Sequence, residues 1–445
     1  MSSLLIVNAK LVNEGQISEA DVYIEQGRIE AIGSLAHKSA DRVLDAKGRY
    51  LLPGMIDDQV HFREPGLTMK GDLFTESRAA VAGGVTSFMD MPNTVPATLS
   101  NELLREKHQL AAGRSLANYG FYLGASSENI ELIKSLDLQL TCAVNVFVGS
   151  SCSSKLVDDP EVLRSILTSS PVLVTAHCED MPMIAENEES YRSIYGDAVP
   201  FELHGVIRSD EACYVAAERL IEVAKDCQAR VHILHISSAK ELELFSTGSL
   251  SEKLITAEVC PHYLHFSDED YALKQGLLKC NPAIKTTEDR AALIQGLLDG
   301  HLDIIGSAHA PHLLAEKQNN TYFKTPSGMP VIQDALLSLL ENYHDGIFSL
   351  EFIVEKTSHA VAELFKIQDR GFIREGYWAD LVLVDLERAQ VASNSSALAK
   401  CAWTPYDNYS FRSSIAATIV NGRLVWQDQQ FIECCPQGQA LSFVR

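Results

Sequence analysis

A strand-like run followed by a helix-like run recurs eight times between residues 55 and 343, and few folds accept that count. MIDDQVHF leads to TESRAAVAGG, TSFMDMP to NELLREKHQLAAG, YGFYLGA to ENIELIKSL, and CAVNVFVG to PEVLRSILTS. VLVTAHC then leads to SDEACYVAAERLIEVAKDC, VHILHIS to AKELELFSTG, LITAEVCPHYL to TTEDRAALIQGLLDG, and LDIIGSAHAP to VIQDALLSLLENY. Alternation of this kind builds parallel sheets, and eight units close a (β/α)8 barrel. A doubly wound sheet needs no such count and would show an early GxGxxG, which is missing here. Both chain ends read instead as short strands with Gly-centred turns, as in LLIVNAKLV and EADVYIEQGRIEAIG, and later in ADLVLVDLE and SIAATIVNGRLVWQDQQF. The expected architecture is therefore a TIM barrel over 53–372 and a small β-sandwich made from 1–52 plus 373–445. Residues 180–203 and 309–330 are expected as long rim loops.

Thirty-seven basic against fifty-nine acidic residues leave a net charge of −22. A polyanion would be repelled over much of such a surface, so nucleic acid and acidic membranes are excluded as partners. No signal-like start or bilayer-length apolar run is present, which predicts a cytoplasmic protein. The ten cysteines show no CxxC pair; only Cys434 and Cys435 are adjacent. That usage reads as reduced, mostly buried thiols, and Cys178 as packing rather than a nucleophile.

Barrel enzymes hold their chemistry at the carboxyl ends of the strands. Three histidines stand at such ends: His61 in PGMIDDQVHFREPG, His177 in VLVTAHCED and His235 in VHILHISS. By strand alternation His232 should face away from them and pack outside the barrel, while His262 and His265 read as rim or core groups.

PGMIDDQVHFREPG, MPNT, AHCED, LHISS, CPHYLHFSDEDY, KCNPAIK and HAPH…SGMP follow the order seen in dihydroorotases of the amidohydrolase superfamily, and the resemblance spans nearly the whole chain. It implies interconversion of dihydroorotate and carbamoyl-aspartate in pyrimidine synthesis, on a TIM barrel with two zinc ions bridged by a carbamylated lysine. It assigns metal ligation to His61, His177 and His235. Three positions depart from the family pattern. Gln59 stands for the first histidine of Asp-x-His-x-His, Asn145 for the bridging lysine, and Ala308 for the aspartate that ligates metal and acts as general base. Asparagine forms no carbamate, and alanine neither ligates nor takes a proton. Two divalent ions ~3.5 Å apart repel by roughly 19 kcal/mol at an effective dielectric of about 20, which the missing anions would normally offset. Losing a general base costs a further ~100- to 10,000-fold.

Substrate groups look better kept. Arg63 resembles the family's carboxylate-binding arginine, Asn93 and Asn281 match positions that hold the ring amides and carboxylate, and His312 matches another carboxylate contact. Gly328 would let the loop backbone approach a ligand. The expectation is a degenerate dihydroorotase with at most one, substoichiometric zinc ion near His177 and His235. A homo-oligomer is expected, and the resemblance suggests aspartate transcarbamoylase as a partner that such a chain would serve non-catalytically. The alternatives are an active zinc enzyme with an unusual or single-metal site, and an enzyme silenced by an introduced alanine at Ala308.

Overall fold

In the computed structural model, residues 3–35, 37–149, 157, 159–319, 321–432 and 436–445 are described. Cys434 and Cys435 lie outside them. Eight parallel barrel strands follow the expected order: Met55–Val60, Val85–Asp90, Asn118–Phe121 continued by Leu123–Gly124, Val144–Val148, Val174–Cys178, Val231–Ile233, Ile255–Val259 and Ile304–Ile305. The ring closes between the eighth and first strands, where the His61 amide donates to the His309 carbonyl at 2.8 Å. Ile56, Met89, Met91, Tyr122, Leu234 and Ile304 point inward and form the barrel's own core, capped below by Leu364 and Phe365. The outer apolar faces of the strands pack on the helices in a second, larger core.

Local signals set the helix starts. Asp72 caps Leu73–Ala82 by accepting from the Phe74 and Thr75 amides, and Thr286 with Asp289 forms a reciprocal box ahead of Thr287–Leu298. Two expected helices are reduced: ENIELIKSL gives only Ile130–Lys134, and AKELELFSTG gives only the 3-10 turn Lys240–Leu244. Conversely, 180–203 is not a loop, because Asp180 caps a fifteen-residue helix, Met181–Tyr195. Its Met-Pro start is compatible with a helix, since proline at the first turn gives up no needed donor.

The two ends meet in one nine-stranded sheet. Tyr50–Pro53 pairs antiparallel with Leu381–Asp385, joining the N-terminal strands to those from the far end of the chain. Its inner residues, among them Ile6, Val22, Ile29, Leu383 and Ile419, form a third core separate from the barrel. The final residues leave this sheet and cross the barrel, with the Leu441 amide bonded to Tyr119 and Leu441 and Phe443 joining the inner core. Among the described residues, no helix is long and apolar enough to cross a membrane.

Candidate active site

A cavity of about 330 Å³ opens at the carboxyl ends of the strands. It is lined by Gln59, His61, Arg63, Asn93, His177, His235, Asn281, Ala308 and His312, so nine of the ten site residues expected from the sequence converge there. Asn145 is wholly buried behind this wall on the fourth strand.

On one side the histidines form a hydrogen-bonded chain. His177 Nδ1 lies 2.8 Å from His235 Nε2, and His177 Nε2 lies 2.8 Å from Glu179 Oε2. Arg208 grips the same carboxylate through two bonds of 2.8 and 2.7 Å. Although burial alone would raise it, this guanidinium and His177 hold Glu179 well below the usual carboxylate range. An anionic Glu179 accepts from His177 Nε2–H. His177 Nδ1 then accepts from His235 Nε2–H, leaving His235 Nδ1 without a partner. Glu179 and Arg208 were not expected from the sequence. The signal available was Glu179 two residues past His177, a spacing that returns a side chain to the same face of an extended segment.

Across the cavity His61 Nδ1 donates to Asn93 Oδ1 at 2.7 Å. Burial and the nearby Arg63 push the His61 pKa down to about 3, so the ring is neutral. Cationic side chains gather at the mouth. Arg63 Nη2 is 3.0 Å from His312 Nε2, and Lys70 Nζ is 2.9 Å from His312 Nδ1. A neutral imidazole accepts at only one nitrogen, so these two donors crowd one ring, while Arg63 Nε donates to the Pro311 carbonyl at 3.0 Å and Glu316 lies 3.1 Å from Lys70. Burial and these cations drive His312 far below its ordinary pKa. The acidic neighbours Glu64 and Asp72 pair elsewhere, with Arg114 at 2.8 Å and Lys400 at 2.9 Å. Gly328 does hold the loop close: at φ +138°, an added Cβ would lie 2.5 Å from the Ala310 carbonyl oxygen.

The binuclear zinc centre implied by the resemblance does not fit these residues. Asn145 Oδ1 accepts from the Thr175 hydroxyl at 2.8 Å, and its Nδ2 is buried without a partner where the family has a carbamate. Ala308 lines the cavity at φ +52° and offers no donor atom. Among the described residues, the group of three metal-ligating side chains whose ligand atoms lie within 4.8 Å of one another is Asp58, His232 and Glu258, not the three histidines. His232 therefore overturns its expected place outside the barrel. The sixth strand ends at Ile233 and His235 takes φ +42°, so simple alternation counted back from His235 fails. His262 lines the cavity with both ring nitrogens unpartnered, and burial lowers its pKa to about 3. Cys178 is buried and its thiol is pushed well above the usual range by that burial, which suits packing.

The model of the amidohydrolase family matches residues 50–425. The chain belongs to that family. It is 32% identical over 425 residues to a dihydroorotase of Halobacterium salinarum, covering 95% of this chain and 96% of that protein. A dihydroorotase of Methanosarcina acetivorans is 30% identical over 440 residues, covering 96% and 93%. Among solved structures, an L-hydantoinase (dihydropyrimidinase) from Arthrobacter aurescens superposes with a TM-score of 0.94 at 23% identity, over 99% of this chain and 100% of that one. The amidohydrolase barrel and the kinship with dihydroorotases read from the motifs both stand.

Proposed function

We propose that this amidohydrolase is a dihydroorotase-family protein of pyrimidine biosynthesis that keeps the pocket for dihydroorotate or carbamoyl-aspartate while hydrolysis is lost or strongly impaired. The observation that carries this reading is the replacement of both anionic metal-site positions by Asn145 and Ala308 beside an otherwise furnished pocket. Arg63 supplies a charge-assisted contact for a ligand carboxylate, and the crowding of Arg63 and Lys70 on His312 favours an anion between them. Asn281 Oδ1 is buried without a partner and can accept from a ring amide, and the Asn93 amide group remains to donate once its oxygen is held by His61. His177 and His235 are fixed by Glu179 and Arg208, so the histidine side of the pocket is rigid but carries no general base of the family kind.

On this reading His61, His177 and His235 hold at most one zinc ion, substoichiometrically, because Asn145 and Ala308 supply no anion to neutralise a pair and the charge of Glu179 is already matched by Arg208. The remaining role is non-catalytic, in a homo-oligomer or in assembly with aspartate transcarbamoylase; co-elution of the two purified proteins tests that partnership. Calorimetry with dihydroorotate and orotate, beside a hydrolysis assay, tests the pocket. Weak binding without turnover is expected. No binding at millimolar ligand, or turnover at an ordinary dihydroorotase rate, would contradict it.

A further inference from the structure

Beneath the floor of the pocket the barrel interior is acidic. Asp58 on the first strand, His232 on the sixth and Glu258 on the seventh are each 0% exposed, with their ligand atoms within 4.8 Å of one another. His232 Nε2 stands 3.5 Å from Glu258 Oε2. Asp58 and Glu258 meet each other carboxyl to carboxyl, and beyond that mutual contact the Asp58 carboxylate oxygens, Glu258 Oε2 and His232 Nε2 have no hydrogen-bond partner among the described residues. Their far atoms, in contrast, are tied down. Glu258 Oε1 accepts from the His235 amide at 3.1 Å, and His232 Nδ1 meets Thr256 Oγ1 at 2.9 Å. The Thr256 hydroxyl donates to the Val231 carbonyl at 3.4 Å, so it accepts from His232 Nδ1–H and leaves the lone pair on Nε2. A ring and a carboxylate oriented through their outer atoms, with the inner atoms converging and empty-handed, is how metal ligands are held.

Charge points the same way. Among the described residues neither carboxylate forms a salt bridge to a lysine or arginine; the buried cations Lys107, Lys253 and Arg208, for example, pair with Asp90, Asp303 and Glu179. Two carboxylates without a counter-ion are costly in such surroundings, and one divalent cation neutralises both. Gly306 keeps the wall clear, because a Cβ there would lie 2.6 Å from Asp58 Oδ1 and 2.9 Å from Glu258 Oε2. We propose that Asp58, His232 and Glu258 bind one divalent transition-metal ion inside the barrel, a layer below the histidine pocket. One imidazole and two carboxylates suit zinc or manganese. The site uses none of the residues on which the functional reading above rests.

The test is metal content and crystallographic anomalous scattering on full-length protein purified without chelator and then incubated with zinc or manganese salts. One ion per chain is expected, with its anomalous peak among these three side chains, retained when His235→Gln disables the histidine pair. Asp58→Asn should weaken binding by at least about tenfold, since even outer-shell changes cost that much. If that variant folds poorly, Asp58→Leu serves: it should abolish the fall in Tm that a chelator causes in the unaltered protein. Three results would overturn the proposal: an anomalous peak only at His177 and His235, undiminished metal content in Asp58→Asn, or a chelator-insensitive Tm that rises in Asp58→Leu. The last would mean that a shared proton settles the two carboxyls.

Discussion

Glu179 and the Asp58–Glu258 pair are buried carboxylates of the same barrel, and their surroundings could hardly differ more. Glu179 meets a bidentate arginine and a histidine and is held ionised. Asp58 and Glu258 meet each other, and burial above all pushes Asp58 well above the carboxylate range and Glu258 up to about 8. The first arrangement is complete without a ligand and makes the pocket wall rigid. The second is complete only when a cation or a proton enters. Asn145 and Ala308 thus leave the histidine side without anionic groups of their own, while two carboxyls, Asp58 and Glu258, stand together a layer deeper.

The strongest way to break that contrast is to return the anions to the histidine side. Asn145→Lys with Ala308→Asp should raise zinc content and lift hydrolysis of dihydroorotate by about 100- to 10,000-fold, the range of a restored general base, with Gln59→His adding to it. Full activity from Ala308→Asp alone would show that Asn145 was never limiting. Removing the partner of the satisfied carboxylate is the next largest effect. Arg208→Ala leaves Glu179 buried and uncompensated and should cost about 3–5 kcal/mol in a denaturant titration; a loss under about 1 kcal/mol would show that His177 alone suffices. In the pocket, Arg63→Ala should weaken dihydroorotate or orotate binding by about 10- to 100-fold in calorimetry, the worth of a charge-assisted hydrogen bond.

A smaller effect comes from Asp334, another buried carboxyl. Asp334 accepts from the Thr404 hydroxyl at 2.6 Å, and burial raises its pKa to about 6. Because this folded value lies above the unfolded ~3.9, the group favours the folded state at low pH, and that contribution is lost as pH rises through about 6. Asp334→Asn should flatten the fall in stability between about pH 4 and 6 and gain at most about 3 kcal/mol at pH 8. Unchanged pH dependence would place the titration elsewhere.

Much of the site was legible because short apolar runs ending in His61, His177 and His235 mark strand ends, and strand ends of a barrel share one face. Arg63, Asn93, Asn281 and His312 fell into the same cavity through ordered motifs rather than periodicity. What escaped depends on local backbone geometry. The first strand shifts register between Asp57 and Val60, and the sixth ends before His235, so alternation misplaced His232 and gave no hint that Asp58 faces Glu258. Arg208 follows a short helix after the unexpected one at Met181–Tyr195, and no spacing in the sequence brings it to Glu179. The barrel count survived because eight apolar strands tolerate such local errors.

With Asn145 and Ala308 in place, the proposed histidine site lacks the anions that would hold a pair of metals. Zinc analysis with anomalous scattering at the zinc edge, on protein purified without chelator, tests that claim most directly. No bridged pair is expected among His61, His177 and His235, and at most one substoichiometric ion on those side chains. Two fully occupied ions about 3.5 Å apart at those histidines would contradict it.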